Sequence, residues 1–500
     1  MPRFAGLCTR NFTASVASLA CTLLVTLSVP AAAQAVLKAE KSAADPSFSW
    51  LKVATSILSP LKQQPGQIPP MITWEGFGYE PLGADDVKTL LARGVTPHLH
   101  MDAAMIPAAL ALQNAGAPVV LMQGAGGNFP SELAGKPELW AHQFDASYKP
   151  TEAVRPCPSL LAGWVAGAEQ VRDTLKKFKA AGVNVNSVWM DWEGDPLYGK
   201  DRFDQATHCL RCRSILPASL LASKPQFEAW CRRRFVELIG TYLAAPVLEV
   251  FPACSVTNWN AMVSTPEHPL NDWDFEKIDP SMPSFFTAVN TAAYGDTKYW
   301  HRWQKSYKLD QEHVDQFWFH SMIEQLSTET ANRLKWMPEK SAIPWVARWL
   351  PENDEYNLPV MSRERYRELL RHMWLRGIKG MQVFNPRFKD YEKMAVYELQ
   401  DAATIYSEMA PYHDLIETGT PICLDVPPAQ SNKLVWSGLK TDSKAVVRAF
   451  KQGGGKAMAS IGIWPGVKVQ FPVDANGVTA LVEKSANGVH VTLTRSESAR

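Results

Sequence analysis

Ser187-Val188-Trp189-Met190-Asp191-Trp192-Glu193-Gly194-Asp195-Pro196 is an apolar run that stops in two carboxylates and a turn. In an extended strand successive side chains alternate faces. Trp189, Asp191 and Glu193 therefore share one side, with the two carboxylates about 6.5–7 Å apart along it. Val188 and Met190 give the opposite side an apolar character, so charge on this buried element needs a task. Two acids on one face can divide proton donation from orientation. Asp195-Pro196 reads instead as ordinary turn chemistry.

Working outward from this strand, short apolar runs alternate with longer amphipathic ones, the pattern of repeated strand–helix units. The spacing predicts strands over 71–76, 96–102, 118–124, 187–193, 248–256, 286–294, 343–350 and 380–385. Helices are predicted over 84–93, 103–115, 161–181, 226–243, 311–337 and 363–376. Gly94, Gly116, Gly182 and Gly377 stand just past four of these helices, where a left-handed stop is expected. Eight such units, with Asp191, Glu193, Tyr294, Trp349 and Asn385 at strand C-terminal ends, predict an α/β chain of the (β/α)8 TIM-barrel type rather than a doubly wound sheet. Beyond about Thr418 the runs become short and alternating, with turn signals at Asn476-Gly477 and Asn487-Gly488 and a flexible tip at 453–455. That reads as a small C-terminal β-sandwich whose role is to pack against the barrel. The resulting division is a signal peptide over 1–35, a lead-in segment over 36–70, the barrel over 71–417 and the sandwich over 418–500.

Arg3 and Arg10, an apolar stretch from Ala14 to Val29 and the small residues around Ala31-Ala32-Ala33 form a secretory signal. This predicts a secreted or periplasmic protein with no stable membrane insertion, because no later run is long and apolar enough to span a bilayer. Cleavage leaves Cys157, Cys209, Cys212, Cys231, Cys254 and Cys423 in an oxidising space, where disulfides are expected. Cys209-Leu210-Arg211-Cys212 has the spacing of half a zinc site or of a redox pair. No second pair follows it, so a structural disulfide is the expectation there. With 51 basic and 50 acidic residues the net charge is +1, so nothing in the bulk charge gathers nucleic acid. Gly124-Ala125-Gly126-Gly127 leads into Asn128-Phe129-Pro130 and does not open a helix as a dinucleotide loop must, so no organic cofactor is expected.

Asp191-Trp192-Glu193 at the end of a fourth strand, with Tyr294 at the end of a sixth, resembles the glycoside hydrolases that use substrate assistance, the family 18 chitinases and family 56 hyaluronidases. The resemblance implies a carbohydrate substrate, Glu193 as the acid that protonates the leaving oxygen, Asp191 as the orienter of a 2-acetamido group and Tyr294 as its support. In this scheme the acetamido oxygen replaces a protein nucleophile. Trp189 stands where the chitinase strand has a further Asp, which leans toward the hyaluronidase pattern. Tyr294-Gly295-Asp296 separates residues that are adjacent in chitinases, and Phe384-Asn385-Pro386 lacks the Trp those families place on the sugar.

Three other readings are open. A retaining two-carboxylate glycosidase would keep Glu193 and take a nucleophile about 5–5.5 Å away, for which Glu352 is the nearest candidate. His98, His100 and Asp102 alternate onto one face, so a metal-dependent hydrolase using His98 and His100 is allowed. Otherwise these are barrel histidines held by hydrogen bonds, with Asp102 capping the helix that follows. A barrel that binds glycans without cleaving them is the noncatalytic reading. For substrate contacts we single out Glu75, His100, Asp102, Asn385 and Arg387, with Trp300 and Trp349 as rings on which a sugar's C–H face stacks.

Overall fold

The computed structural model describes residues 37–38, 48–61, 71–73, 82–123, 136–151, 157–190, 201–258, 288–289, 292–295, 309–336, 341–349, 359–384, 391–426 and 434–495. The expected signal peptide lies outside them.

Short parallel strands succeed one another along the first four-fifths of the chain: β1 Met71–Thr73, β2 Val95–Pro97, β3 Leu99–His100, β4 Val120–Gln123, β5 Ser187–Met190, β6 Ser255–Asn258, β7 Ala288–Val289, β8 Ala292–Tyr294, β9 Ser341–Ala342, β10 Trp345–Ala347 and β11 Met381–Val383. Ladders join β1 to β2, β3 to β4, β4 to β5 and β5 to β6. Further along, β7 pairs with β9, β8 with β10, β10 with β11, and β11 returns to β1. β2 and β3 flank His98, and β9 and β10 flank Ile343-Pro344, where a proline has no N–H for a ladder. Counting each flanked pair as one run, and β7 with β8 likewise, the order follows the sequence and ends beside its own start, the succession a (β/α)8 barrel requires. Among the described residues no ladder joins β6 to β7.

The helices fall between these strands: α1 Trp50–Ile57 ahead of β1, α2 Ala84–Leu91, α3 Ile106–Asn114, α4 Ala162–Ala180, the short α5 Arg202–His208, α6 Leu210–Ile215 and α7 Ala218–Leu221, then α8 Lys224–Ile239, α9 Ala245–Val250, α10 Gln311–Trp336, α11 Arg363–Trp374, α12 Glu392–Met409 and α13 His413–Thr418. Gly94, Gly116, Gly182 and Gly377 have φ of 78°, 75°, 80° and 82°, so the left-handed stops after α2, α3, α4 and α11 fall where the sequence puts them. At Gly94 the freedom is needed twice over, because a Cβ there would stand 2.7 Å from the Tyr406 ring.

One predicted strand needs correction. Residues 248–250 are helical, since α8 continues through a π turn over Gly240–Ala244 into α9. Val247 and Val250 are buried three residues apart on a helix face, while Glu249 turns outward to Arg172. The strand begins only at Ser255.

Strand parity sorts the core into two layers. Leu99, Leu121, Val188, Met190, Val256, Ala293, Val346 and Val383 pack outward with the helices. Val120, Met122, Trp189, Ala292, Tyr294, Trp345 and Ala347 form a separate inner cluster, with Phe384 against it.

After α13 the chain is all β, with strands β12 Thr420–Pro421, β13 Leu434–Lys440, β14 Lys444–Lys451, β15 Ala457–Trp464, β16 Val467–Val473, β17 Val478–Ser485 and β18 Gly488–Arg495. A five-stranded antiparallel sheet runs β12-β13-β14-β17-β18, and β15 and β16 form a hairpin. Ala445, Val447, Ala449, Val478, Ala480 and Val482 face Ile461, Val469, Phe471 and Val473 in one apolar cluster. The alternate residues Val446 and Phe450 join the main core with the helices. Between them on β14, Arg448 makes a buried ion pair with Glu368 of α11.

Candidate functional site

Asp191 and Glu193 lie outside the described residues, as do Glu75, Trp300, Asn385, Arg387 and Glu352. What is described is the inner cluster on the strands, which we refer to as the floor. β5 lies between β4 and β6, with Met122 opposite Trp189 and Trp189 opposite Thr257. Trp189 is 1% exposed, and its ring meets Trp345 at 4.7 Å between centroids. Tyr294, at the C-terminal end of β8, stacks on Phe384 at 5.1 Å and 23°. Strands four and six of the predicted series thus turn Trp189 and Tyr294 into one cluster.

His98 is fully buried on this floor, 5.4 Å from the Trp189 ring and 6.5 Å from that of Trp345. Among the described residues neither of its ring nitrogens has a hydrogen-bond partner. Burial, with the nearby His100 adding to it, pushes its pKa down to about 3, so the ring is neutral at physiological pH. Burial also lowers His100, which Asp102 partly opposes. Asp102 caps the turn after β3, accepting from the Ala104 N–H at 2.8 Å. Among the described residues these three do not converge with further ligand groups on one metal position.

Trp349 is 4% exposed and sits in a small cluster with Val360, Tyr391 and Met394. Its ring meets Tyr391 edge-on at 4.9 Å. Arg348 turns the other way, toward the helices, and its Nε donates to the Met361 carbonyl at 2.8 Å. Behind it the buried Glu398 of α12 is pushed up to about 8 by burial, against the pull of Arg348.

The cysteines depart from the sequence-based expectation. All six described cysteines are buried, and no disulfide joins any two of them, so the predicted disulfides are absent among the described residues. Cys209 and Cys212 instead converge with Cys157 and His142, and the four potential ligand atoms lie within 4.8 Å of one another. The Cys157 and Cys212 sulfurs are 3.6 Å apart, and Cys212 Sγ is 3.9 Å from His142 Nδ1. Hydrogen bonds with Cys157 and Cys212 draw Cys209 toward the thiolate, while those with Cys157 and Cys209 hold the proton on Cys212. The sequence signal for this set was half visible. Cys209-x-x-Cys212 is local, but its complement is a lone His and a lone Cys more than fifty residues upstream.

No family model and no curated protein matches the chain. Among solved structures it is similar to a GH30 endoxylanase from Clostridium papyrosolvens, with 11% identity and a TM-score of 0.44 over 88% of this chain and 96% of that one. A maltogenic alpha-amylase from Thermotoga neapolitana has 9% identity and a TM-score of 0.43 over 86% and 99%. A beta-galactosidase from the psychrophilic Marinomonas ef1 has 10% identity and a TM-score of 0.44 over 69% and 60%. With TM-scores below 0.5, these likenesses assign neither a family nor an activity to the chain.

Proposed function

We propose that the chain is a secreted or periplasmic glycoside hydrolase on a closed (β/α)8 barrel over 71–417, capped by a β-sandwich over 418–500. The observation that carries this reading is the shared inner cluster of Trp189 and Tyr294. Parity continued two and four residues past Trp189 gives Asp191 and Glu193 that same inner face, at the strand end where barrels keep their chemistry. Trp189, Trp345 and Met122 are buried on this floor beside the buried His98, whose pKa burial lowers. A carboxyl set just above such a floor holds its proton to higher pH, which suits a general acid.

In the proposed reaction Glu193 gives its proton to the glycosidic oxygen as the bond from that oxygen to the anomeric carbon breaks. The carbonyl oxygen of the substrate's 2-acetamido group forms the new bond to that carbon, and Asp191 holds the acetamido N–H. Tyr294 supports the group from the sixth strand. Water then attacks the anomeric carbon, giving its proton to the Glu193 carboxylate, and the acetamido group is released intact.

The test is hydrolysis of polysaccharides and aryl glycosides, with and without 2-acetamido groups, by wild type and Glu193→Gln. Cleavage confined to acetamido sugars and lost in the variant is the expected result. Cleavage of other sugars moves the mechanism to two carboxylates, and full activity in the variant removes Glu193 from it.

A further inference from the structure

His142 and Cys157 belong to the segment between β4 and α4, whereas Cys209 and Cys212 belong to the segment between β5 and α8. β4 and β5 are paired parallel neighbours, so both segments leave the same end of the sheet. A short antiparallel bridge joins them at Phe144 and Cys209. Asp145 N–H donates to the His208 carbonyl at 3.0 Å, Leu210 N–H to Gln143 at 2.8 Å, and Cys157 N–H to Trp140 at 2.8 Å. These backbone bonds bring the four side chains together from three separate stretches of chain. The His142 ring is further fixed by stacking on Phe144 at 5.5 Å and 18°.

The spacing discriminates between the ways in which three thiols and an imidazole can be used. A disulfide holds its sulfurs about 2.05 Å apart. Zinc with bonds of about 2.3 Å to sulfur in a tetrahedron separates its sulfur ligands by about 3.8 Å. The 3.6 Å between the Cys157 and Cys212 sulfurs is close to that edge, and the 3.9 Å from Cys212 Sγ to His142 Nδ1 is a few tenths of an ångström longer than the roughly 3.5 Å edge that a nitrogen ligand bonded at about 2.0–2.1 Å gives. An iron–sulfur cluster would put several irons and sulfides among the thiolates and spread them further than the 4.8 Å that encloses all four ligand atoms here. Three thiolates with one imidazole select a borderline-soft ion over magnesium or calcium.

The surroundings also call for a staple. The helices α5 to α7 here are short, and among the described residues the fully buried side chains of the local apolar cluster are, besides four cysteines, Ala206 and Phe227, with six more hydrophobics only partly buried against them. So small a core stabilises little by itself, and metal binding adds directly to folding free energy where the ligands come together only in the folded state.

We propose that His142, Cys157, Cys209 and Cys212 bind one zinc(II) ion in a closed tetrahedral site that staples the segment after β4 to the segment after β5. With four protein ligands the ion has no open position, so its role is structural. In the sequence, Asp191 and Glu193 follow directly after β5. If those residues act as proposed above, the staple fixes the far end of the stretch that carries them; the metal site itself does not depend on that reading.

The experiment takes the full-length chain, purified under reducing conditions without added metal. Zinc is measured by elemental mass spectrometry, and free thiols are counted after denaturation. About one zinc per chain is expected, released in step with titration of the thiols by a mercurial. Exchange with cobalt(II) is expected to give the intense visible bands of tetrahedral thiolate cobalt. Cys212→Ser loses the metal, while Cys254→Ser, away from the cluster, keeps it. Should Cys212→Ser fail to fold, the wild-type stoichiometry and cobalt spectrum decide the matter. Reduced wild type that holds no zinc and takes up neither zinc(II) nor cobalt(II) overturns the proposal. A disulfide between any two of Cys157, Cys209 and Cys212 also overturns it. None of these readouts uses glycosidase activity, so failure of the functional reading and failure of the metal site are separable.

Discussion

Replacing Arg448 by Met tests how the C-terminal sheet is held to the helices. Glu368 and Arg448 are 4% and 1% exposed. Arg448 Nε and Nη2 donate to the two Glu368 oxygens at 2.8 and 2.6 Å, and Nη2 also reaches the Asn476 carbonyl at 2.6 Å. Arg371 Nη1 donates to the same carboxylate at 3.2 Å, and His372 Nε2 lies 3.2 Å from it. Burial pushes the Glu368 pKa up, but the Arg448 charge, helped by His372, outweighs it and leaves the group well below the usual range. Removing Arg448 strands most of that buried charge, which costs about 3–5 kcal/mol at neutral pH. Unfolding entropy is about 2.1 cal/mol/K per residue, so if the unit from Ala35 to Arg500 unfolds as one its Tm falls by roughly 1 °C per kcal/mol, or about 3–5 °C in all. Scanning calorimetry and urea titration of wild type, Arg448→Met, Glu368→Met and the double variant give the coupling. The double variant should recover most of the loss, because an apolar pair leaves no buried charge. The pH dependence has a definite sign. A depressed carboxyl stabilises the fold above its unfolded pKa and loses that contribution as pH falls through the folded value. The penalty of Arg448→Met should therefore shrink in acid, where Glu368 takes up a proton. A loss below about 1 kcal/mol, the size of an exposed pair, or a penalty indifferent to pH would refute the reasoning.

Gly116→Ala meets open space at φ +75°, so its cost is the left-handed backbone alone, about 1 kcal/mol; Gly94→Ala adds the 2.7 Å clash with the Tyr406 ring and should cost more than about 2 kcal/mol. Equal urea midpoints for the two variants would sink this account. Burial raises the Glu398 carboxyl to about 8, so wild type is most stable with that proton on and loses stability as pH rises from the ordinary glutamate range to about 8. Glu398→Gln removes this slope, and denaturation midpoints measured across that window should diverge steadily in the variant's favour; parallel curves would count against it.

The parts of this fold that can be read from sequence are those whose signal is carried by a single element. Parity about Trp189 is local, and the inner and outer clusters divide as that parity requires. The four glycine stops are local as well, because a left-handed residue after a helix excludes a side chain whatever lies beyond. α12 was not among the predicted helices, and the reason is instructive. Its inward face includes Glu398 and Asp401, which break the apolar stripe that marks a helix. Those acids are buried only because Arg348 lies beside one and because Arg363 and Arg367 pair with the other at 2.7 and 2.6 Å. Neither pairing is visible within the helix itself. Residues 248–250 fail as a strand for a related reason, since two valines three apart satisfy a helix face as readily as an apolar run satisfies a sheet.

The cysteine cluster extends the same argument to function. A ligand pair within one turn announces itself, but a tetrahedral set needs a second half, and the chain supplies it from a lone His and a lone Cys on another segment. With no second pair in sequence, Cys209-x-x-Cys212 reads as a disulfide, whereas the quantity that separates thiol chemistries is the distance between sulfurs. Between Cys157 and Cys212 it is 3.6 Å, too long for a disulfide bond and short enough for a shared ion. If the ion is there, an exported chain keeps these three thiols reduced because the metal occupies their lone pairs, and an oxidising compartment does not conflict with the absence of a disulfide among Cys157, Cys209 and Cys212. The stretch that carries Asp191 and Glu193 would then have the sheet at one end and a metal staple at the other, so its geometry would depend on groups that no reading of the strand alone could identify.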